Sequence, residues 1–289
     1  MLNPEGRLAG SCYAHHLKLD DWFNTQSKII LDGDFNYEGV ISNDKIREWS
    51  FSSDVLETGL LHKDTLTVSV SGAYDGTTFE LTEPLIAILN GQYVKMDGFF
   101  DIPSSESRWT ISSMDMDLAL LPFKINGIDI DGKVTGSISA NGDFASPSIE
   151  LDLLVEDVNA YLFSSSRLLV KGDIQNPEIL QGGEMNLTFE NGKWSGFELG
   201  EGELDMTFDK GDIFIKDIST ISRENFLQAS GKIIQRKIIS LDRIQMAYDS
   251  HYLVIPKPIE ATVSHNKISI KPFVVHVDDG VVEGVLQVD

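Results

Sequence analysis

Apolar and polar residues alternate along most of this chain. Every second position is apolar in Thr65-Leu66-Thr67-Val68-Ser69-Val70-Ser71. The same holds in Met185-Asn186-Leu187-Thr188-Phe189-Glu190 and in Glu203-Leu204-Asp205-Met206-Thr207-Phe208-Asp209. Successive strand side chains point to opposite faces, so each run predicts a strand with one apolar and one polar face. Asn-Gly or Asp-Gly pairs begin at 32, 75, 90, 97, 126, 131, 141, 191 and 279. They tolerate the positive φ of tight turns and predict antiparallel hairpins. Helical periodicity is scarce. Asp20-Asp21-Trp22-Phe23 and Asp117-Leu118-Ala119-Leu120-Leu121 each suffice for a single turn, and Pro84 to Asn90 is ambiguous. The predicted fold is all-β, with few short helical turns and no helix to cover a sheet face.

The chain also resembles itself. His16-Leu17-Lys18-Leu19-Asp20 and Ile30-Leu31-Asp32-Gly33-Asp34-Phe35 align with Ser113-Met114-Asp115-Met116-Asp117 and Asp129-Ile130-Asp131-Gly132-Lys133-Val134. A unit of strand, polar turn, strand and closing glycine runs from Leu66 to Gly98, Leu204 to Gly231 and Ala261 to Gly284. These repeats divide the chain into an N-terminal edge (1–14), a first β-module (15–109), a second (110–232) and a partial third (233–289). The expected whole is one continuous elongated domain, with both ends cut from a longer chain.

Composition narrows the function. The chain has 289 residues, with 23 Lys and Arg against 45 Asp and Glu, a net charge of −22. Such a surface repels phosphate backbones, so nucleic acid is not an expected partner. The apolar share of 42% suits an ordered chain. Cys12, the single cysteine, allows no internal disulfide and reads as a small buried residue. No segment approaches the roughly 18 apolar residues of a membrane span, and the N-terminus has no secretory signal pattern. Leu8-Ala9-Gly10-Ser11-Cys12 departs from a lipidation box because Ser11 displaces the cysteine.

Candidate chemistry is thin. His15 and His16 are adjacent and would point to opposite strand faces, while His251, His265 and His276 lack ligand spacing; all read as surface or strand-edge residues. Asp129-x-Asp131-Gly132 lacks the further ligands of a calcium loop and reads as a hairpin turn. Trp22, Trp49, Trp109 and Trp194 read as core or strand-rim residues. No nucleophile elbow, phosphate loop or zinc-helix motif occurs. A glycan-cleaving β-solenoid would need converging carboxylates, and no pair stands out. No catalytic residue, metal or cofactor is assigned.

What the pattern does pose is an apolar face needing cover. Its candidates are Leu66, Val68, Val70, Phe79, Leu81, Ile149, Leu151, Leu153, Leu187, Phe189, Leu204, Met206, Phe208, Ile213, Ile215, Ile268 and Ile270. Burying such a side chain is worth roughly 1.5–3 kcal/mol. A dozen left in water forgo on the order of 20 kcal/mol, more than typical net stability. Either the sheet packs on itself, as in a structural or adhesive cell-surface β-repeat protein with a closed, filled core, or a foreign apolar molecule covers it.

One stretch bears on that choice. Leu120-Leu121-Pro122-Phe123-Lys124-Ile125-Asn126-Gly127-Ile128-Asp129-Ile130-Asp131-Gly132-Lys133-Val134-Thr135-Gly136, with the following Ser137-Ile138-Ser139-Ala140-Asn141-Gly142-Asp143-Phe144-Ala145-Ser146-Pro147-Ser148-Ile149, resembles a module turn of the TamB/AsmA-like family. The strand–turn–strand–glycine unit is similar too, and the resemblance covers most of residues 15–289. It implies an elongated repeat sheet curved into a U-shaped groove, the β-taco. It also implies a periplasmic lipid-transport protein whose groove shields phospholipid acyl chains between inner and outer membranes, supporting outer-membrane assembly. The full-length protein would be anchored in the inner membrane, with an Omp85-type outer-membrane barrel as partner. The motifs are patterns of glycine and apolar residues, and this chain lacks the family's N-terminal anchor.

Overall fold

The computed structural model describes residues 5–18, 30–42, 45–60, 64–89, 92–120, 130–223, 225–235, 237–264 and 267–288. Its strands are β1 (Glu5–Lys18), β2 (Ile30–Ser42), β3 (Lys45–Leu60), β4 (Asp64–Tyr74), β5 (Thr78–Leu89), β6 (Gln92–Asp101), β7 (Glu106–Asp117), β8 (Ile130–Asp143), β9 (Ser148–Ala160) and β10 (Phe163–Gln175). They continue with β11 (Gly182–Trp194), β12 (Phe197–Asp209), β13 (Asp212–Ser222), β14 (Asn225–Ile234), β15 (Ile238–Tyr248), β16 (His251–Val254), β17 (Ile259–Ser264), β18 (Lys267–Val277) and β19 (Gly280–Val288). Strand takes up 84% of the chain and helix 1%, and among the described residues no helical layer lies over a sheet face. The expected turn near Asp117 is a 3-10 helix, Leu118–Leu120. The ambiguous run from Pro84 is strand as far as Leu89. Asp20 to Phe23 lies outside the described residues.

The chain forms two compact units. The first comprises Met1–Pro122 with Thr135–Pro147, the second Phe123–Val134 with Ser148–Asp289. In the first, each strand from β1 to β7 pairs antiparallel with its neighbour in sequence. In the second, β9 to β15 do the same. Next to β15 the ladder is shared by two short strands, β16 and β17. Both pair in turn with β18, which pairs with β19. Ile255-Pro256-Lys257-Pro258 separates β16 from β17; proline has no N–H to give the ladder.

Extra residues recur along both units. In the second unit the register slips around Lys216 of β13, Asp242 of β15 and Lys271 to Pro272 of β18. Further slips lie on β11 between Phe189 and Gly192 and on β12 at Leu199. In the first unit the extra residues fall on β1, β3 and β5, the last around Pro84. Each such bulge bends its strand and raises its twist. The slips on β13, β15 and β18 face one another through the intervening strands, as do those on β3 and β5. Strands of 11 to 16 residues are long enough to be bent near their middles.

Five of the nine predicted turn pairs are not turns. Asp75-Gly76 and Asp279-Gly280 do sit where hairpins reverse, and those at 90 and 126 lie outside the described residues. Asp32-Gly33, Asp97-Gly98, Asp131-Gly132, Asn141-Gly142 and Asn191-Gly192 lie within strands. Close approach explains the glycine in two of them. The Trp109 indole lies across Gly98 and the Phe189 ring across Gly192, and a Cβ at either position would clash with the ring. The closing glycines of the repeat follow suit: Gly284 lies under Phe273, and Gly231 against the Ser240 carbonyl.

The Phe189 ring also spans Gly202 on β12, the residue paired with it. Alanine ordinarily favours a strand interior over glycine. Here Gly202→Ala is expected to destabilise the protein by about 1–3 kcal/mol, because its Cβ displaces the ring. In a Phe189→Leu background the cost should shrink, and a double-mutant cycle of chemical denaturation measures that coupling.

Candidate functional site

Residues in direct register share a sheet face, so the ladder sorts the second unit's side chains into two sets. One row across the strands reads Leu153, Val170, Leu187, Leu204, Ile218, Ala229 and Ile244. The next reads Leu151, Gly172, Met185, Met206, Ile215, Gly231, Leu241 and Ile259. A third reads Ile149, Ile174, Gly183, Phe208, Ile213, Ile233, Ile239, Ala261 and Ile270. Val155, Leu168, Phe189, Gly202, Thr220, Leu227, Met246 and Leu253 form a fourth. Thr220 is the single polar residue in these four rows. At a strand spacing of about 4.8 Å they run across the sheet for on the order of 30–40 Å.

The opposite face is charged. Asp152, Lys171, Asn186, Asp205 and Asp217 make one of its rows. Lys171 Nζ stands 3.4 Å from Asp152, Arg167 Nη1 3.0 Å from Glu190, and Asn186 Nδ2 donates to Asp205 at 2.6 Å. All these groups are surface-exposed or half-buried, so they keep the face wetted more than they stabilise it.

Of the expected groove residues, Ile149, Leu151, Leu153, Leu187, Phe189, Leu204, Met206, Phe208, Ile213, Ile215 and Ile270 all fall on the apolar face of the second unit. Phe208 is buried and the other ten are half-buried. In the first unit Val68 and Val70 share a face with Phe79 and Leu81, again half-buried. The side chains of Leu66 and Ile268 lie outside the described residues. Sequence reasoning missed Leu168, Val170, Ile174, Ile218, Ile233, Ile239, Leu241, Ile244 and Met246. Apolar spacings that skip by three, as from Ile215 to Ile218 and Leu241 to Ile244, were the signal available.

Little covers this face. Among the described residues the buried apolar side chains are Val134, Val155, Val158, Phe208, Ala229 and Ile255. A sheet packed on a second layer would bury most of its inward Ile, Leu and Val. Cys12, expected to be buried, is exposed; it pairs with Phe35 on a half-covered face.

The first unit adds an aromatic row. Tyr37 stacks on Trp49 with centroids 5.5 Å apart, and Phe51 on Phe79 at 6.0 Å, with Trp109 6.5 Å beyond. Gly39, Gly72 and Gly98 leave room for these rings. Trp194 is exposed, and Trp22 lies outside the described residues.

A concavity of about 900 Å³ lies on the second unit's polar face. Of the expected groove residues it touches Phe189 alone.

Titratable groups serve local structure. Asp75 Oδ1 accepts from Thr78 N (2.7 Å), Thr77 N (2.9 Å) and Thr77 Oγ1 (2.9 Å), which hold its carboxyl below the ordinary range. Ser104 does the same for Asp101. The ion pair of Lys271 with Glu260 lowers the glutamate. His15 bonds Asp32, and Asp131-Gly132 belongs to β8, not to a turn. Among the described residues no three His, Cys, Asp or Glu groups converge on a metal position.

The His251 ring lies 2.7 Å from Asp278, whose second oxygen accepts from Tyr252 N at 2.8 Å. The hydrogen bond to Asp278 raises the imidazole above its ordinary 6.5. The same bond, with that from Tyr252 N, lowers the carboxyl below its ordinary 3.8. By linkage the histidine's contribution is complete below pH 6.5 and fades as pH rises through its raised value. The aspartate's is complete above 3.8 and fades as pH falls through its lowered value. The protection factor of the Tyr252 amide should therefore plateau between those two pH values and fall outside them. Asp278→Asn should flatten the profile, as hydrogen exchange corrected for intrinsic rates can measure.

No protein-family model, curated protein or solved structure matches the chain, so the reading of its function rests on these residues and their arrangement.

Proposed function

We propose that the chain is a segment of a periplasmic lipid conduit of the TamB/AsmA-like kind, its apolar face shielding phospholipid acyl chains while headgroups stay in water. The observation that carries this reading is the face itself: four adjacent rows of apolar residues on the second unit, most of them half-exposed. Each buried CH₂ of a lipid tail contributes about 0.8 kcal/mol. Because successive rows offer similar side chains, binding energy changes little from step to step and a tail can slide. No residue needs to react, so the reading assigns no enzymatic activity and no cofactor. The charged reverse face supports a trough that stays soluble on its outside.

The U-shaped groove draws support from the bulges, since strands bent at mid-length are what a curved sheet requires. Placement in the periplasm, an inner-membrane anchor for the full-length protein and an Omp85-type barrel as its partner rest on the sequence resemblance. Among the described residues no helix is long and apolar enough to cross a membrane. The closed, filled core of an adhesive repeat protein calls for many buried apolar residues, and the six found give it little support.

Native mass spectrometry of gently purified protein should show bound phospholipid; a lipid-free, stably folded monomer would count against the conduit. Met206→Asp places a charge amid Met185, Leu204 and Ile215. It should lower lipid occupancy with a modest change in melting temperature. In a filled core the same unpaired charge would cost several kcal/mol and unfold the protein.

A further inference from the structure

The concavity on the second unit's polar face has its own chemistry, which lipid binding does not use. We propose that it is a binding site for an extended, unbranched, neutral oligosaccharide.

Two neighbouring cross-strand rows build it. Thr188, Glu203, Ser219, Gln228 and Gln245 lie in direct register on β11 to β15, one hydrogen-bonding group every strand spacing, about 4.8 Å. Beside them Glu201, Ile221 and Phe226 are likewise in register. Ile221 is 63% exposed, an unusual position for isoleucine on a charged face. A straight groove thus offers polar groups along one side and an apolar platform along the other.

Several polar groups are already oriented. Arg243 Nη2 donates to Oε1 of Gln245 at 2.8 Å and of Gln228 at 3.4 Å. With the amide oxygens engaged, both Nε2 groups are left as donors. Asn225 Oδ1 accepts from the Asp249 amide at 3.1 Å, leaving Nδ2 as a third. Asn186 fixes Glu203 through one oxygen at 2.7 Å, and Arg167 fixes Glu190 at 3.0 Å, so each carboxylate keeps a second oxygen as acceptor. Such fixed donors and acceptors lose little freedom on binding.

Charge selects among ligands. The lining holds Arg167 and Arg223 against Glu190, Glu201 and Glu203, close to balance in a chain of net charge −22. A polycation or polyanion would find no field there, and an acyl chain would strand the polar row without partners. A linear sugar chain matches both rows, with hydroxyls along its edges and C–H groups on its ring faces.

Isothermal titration of the purified chain with cellohexaose and with chitohexaose tests this. Saturable binding of at least one is expected. Gln228→Ala with Gln245→Ala should weaken it about tenfold, and Phe226→Ala about fivefold, with melting temperatures near that of the unaltered protein. Met206→Asp, on the other face, should leave it unchanged, which separates this site from the lipid-binding reading. Absence of binding by both sugars at low millimolar concentration overturns the proposal. So does binding that survives both the double amide variant and Phe226→Ala.

Discussion

The structure depends on one constraint: an apolar sheet face that the described residues leave half exposed. In water, Ile, Leu and Met side chains arranged as four continuous rows on the second unit are a liability in stability and a hazard for aggregation. Most proteins remove it with a second layer. Here the strands are long, helix is nearly absent and buried apolar side chains are few. The bulges, the glycines beneath aromatic rings and the charged reverse face are all arrangements that a single-layer sheet needs.

The bulges keep that face single-sided. Side chains alternate strictly, so one extra residue moves everything beyond it to the other face unless the neighbouring strands stay in step. Lys216 lets Ile213 and Ile215 lie on the same face as Ile218. Asp242 does the same for Ile239 and Leu241 with Ile244 and Met246. Lys216 and Asp242 are charged, which suits positions turned away from the apolar rows.

The same device decided what could be read from sequence. Unbroken alternation exposed β9 and β12, and with them Ile149, Leu151, Leu153, Leu204, Met206 and Phe208. β15 escaped because its alternation changes phase at Asp242, and β10 because Leu168-Leu169-Val170 is apolar on both faces. The glycine pairs misled for a different reason. Asp97-Gly98 has the composition of a turn, yet its glycine answers to the ring of Trp109, a residue on the next strand that local sequence does not reveal. The polar rows on the reverse face had no signature at all, since a groove of that kind exists only once register sets Ser219 beside Gln228.

Because neighbouring strands run antiparallel, the hairpin is the smallest interchangeable block. Gaining or losing a single strand would reverse chain direction for all that follows. Gaining or losing a hairpin preserves it. Such a sheet can lengthen or shorten by duplication and deletion in two-strand increments of about 25 residues, with each increment carrying its own share of apolar surface. The number of apolar rows then stays fixed while each row grows longer strand by strand.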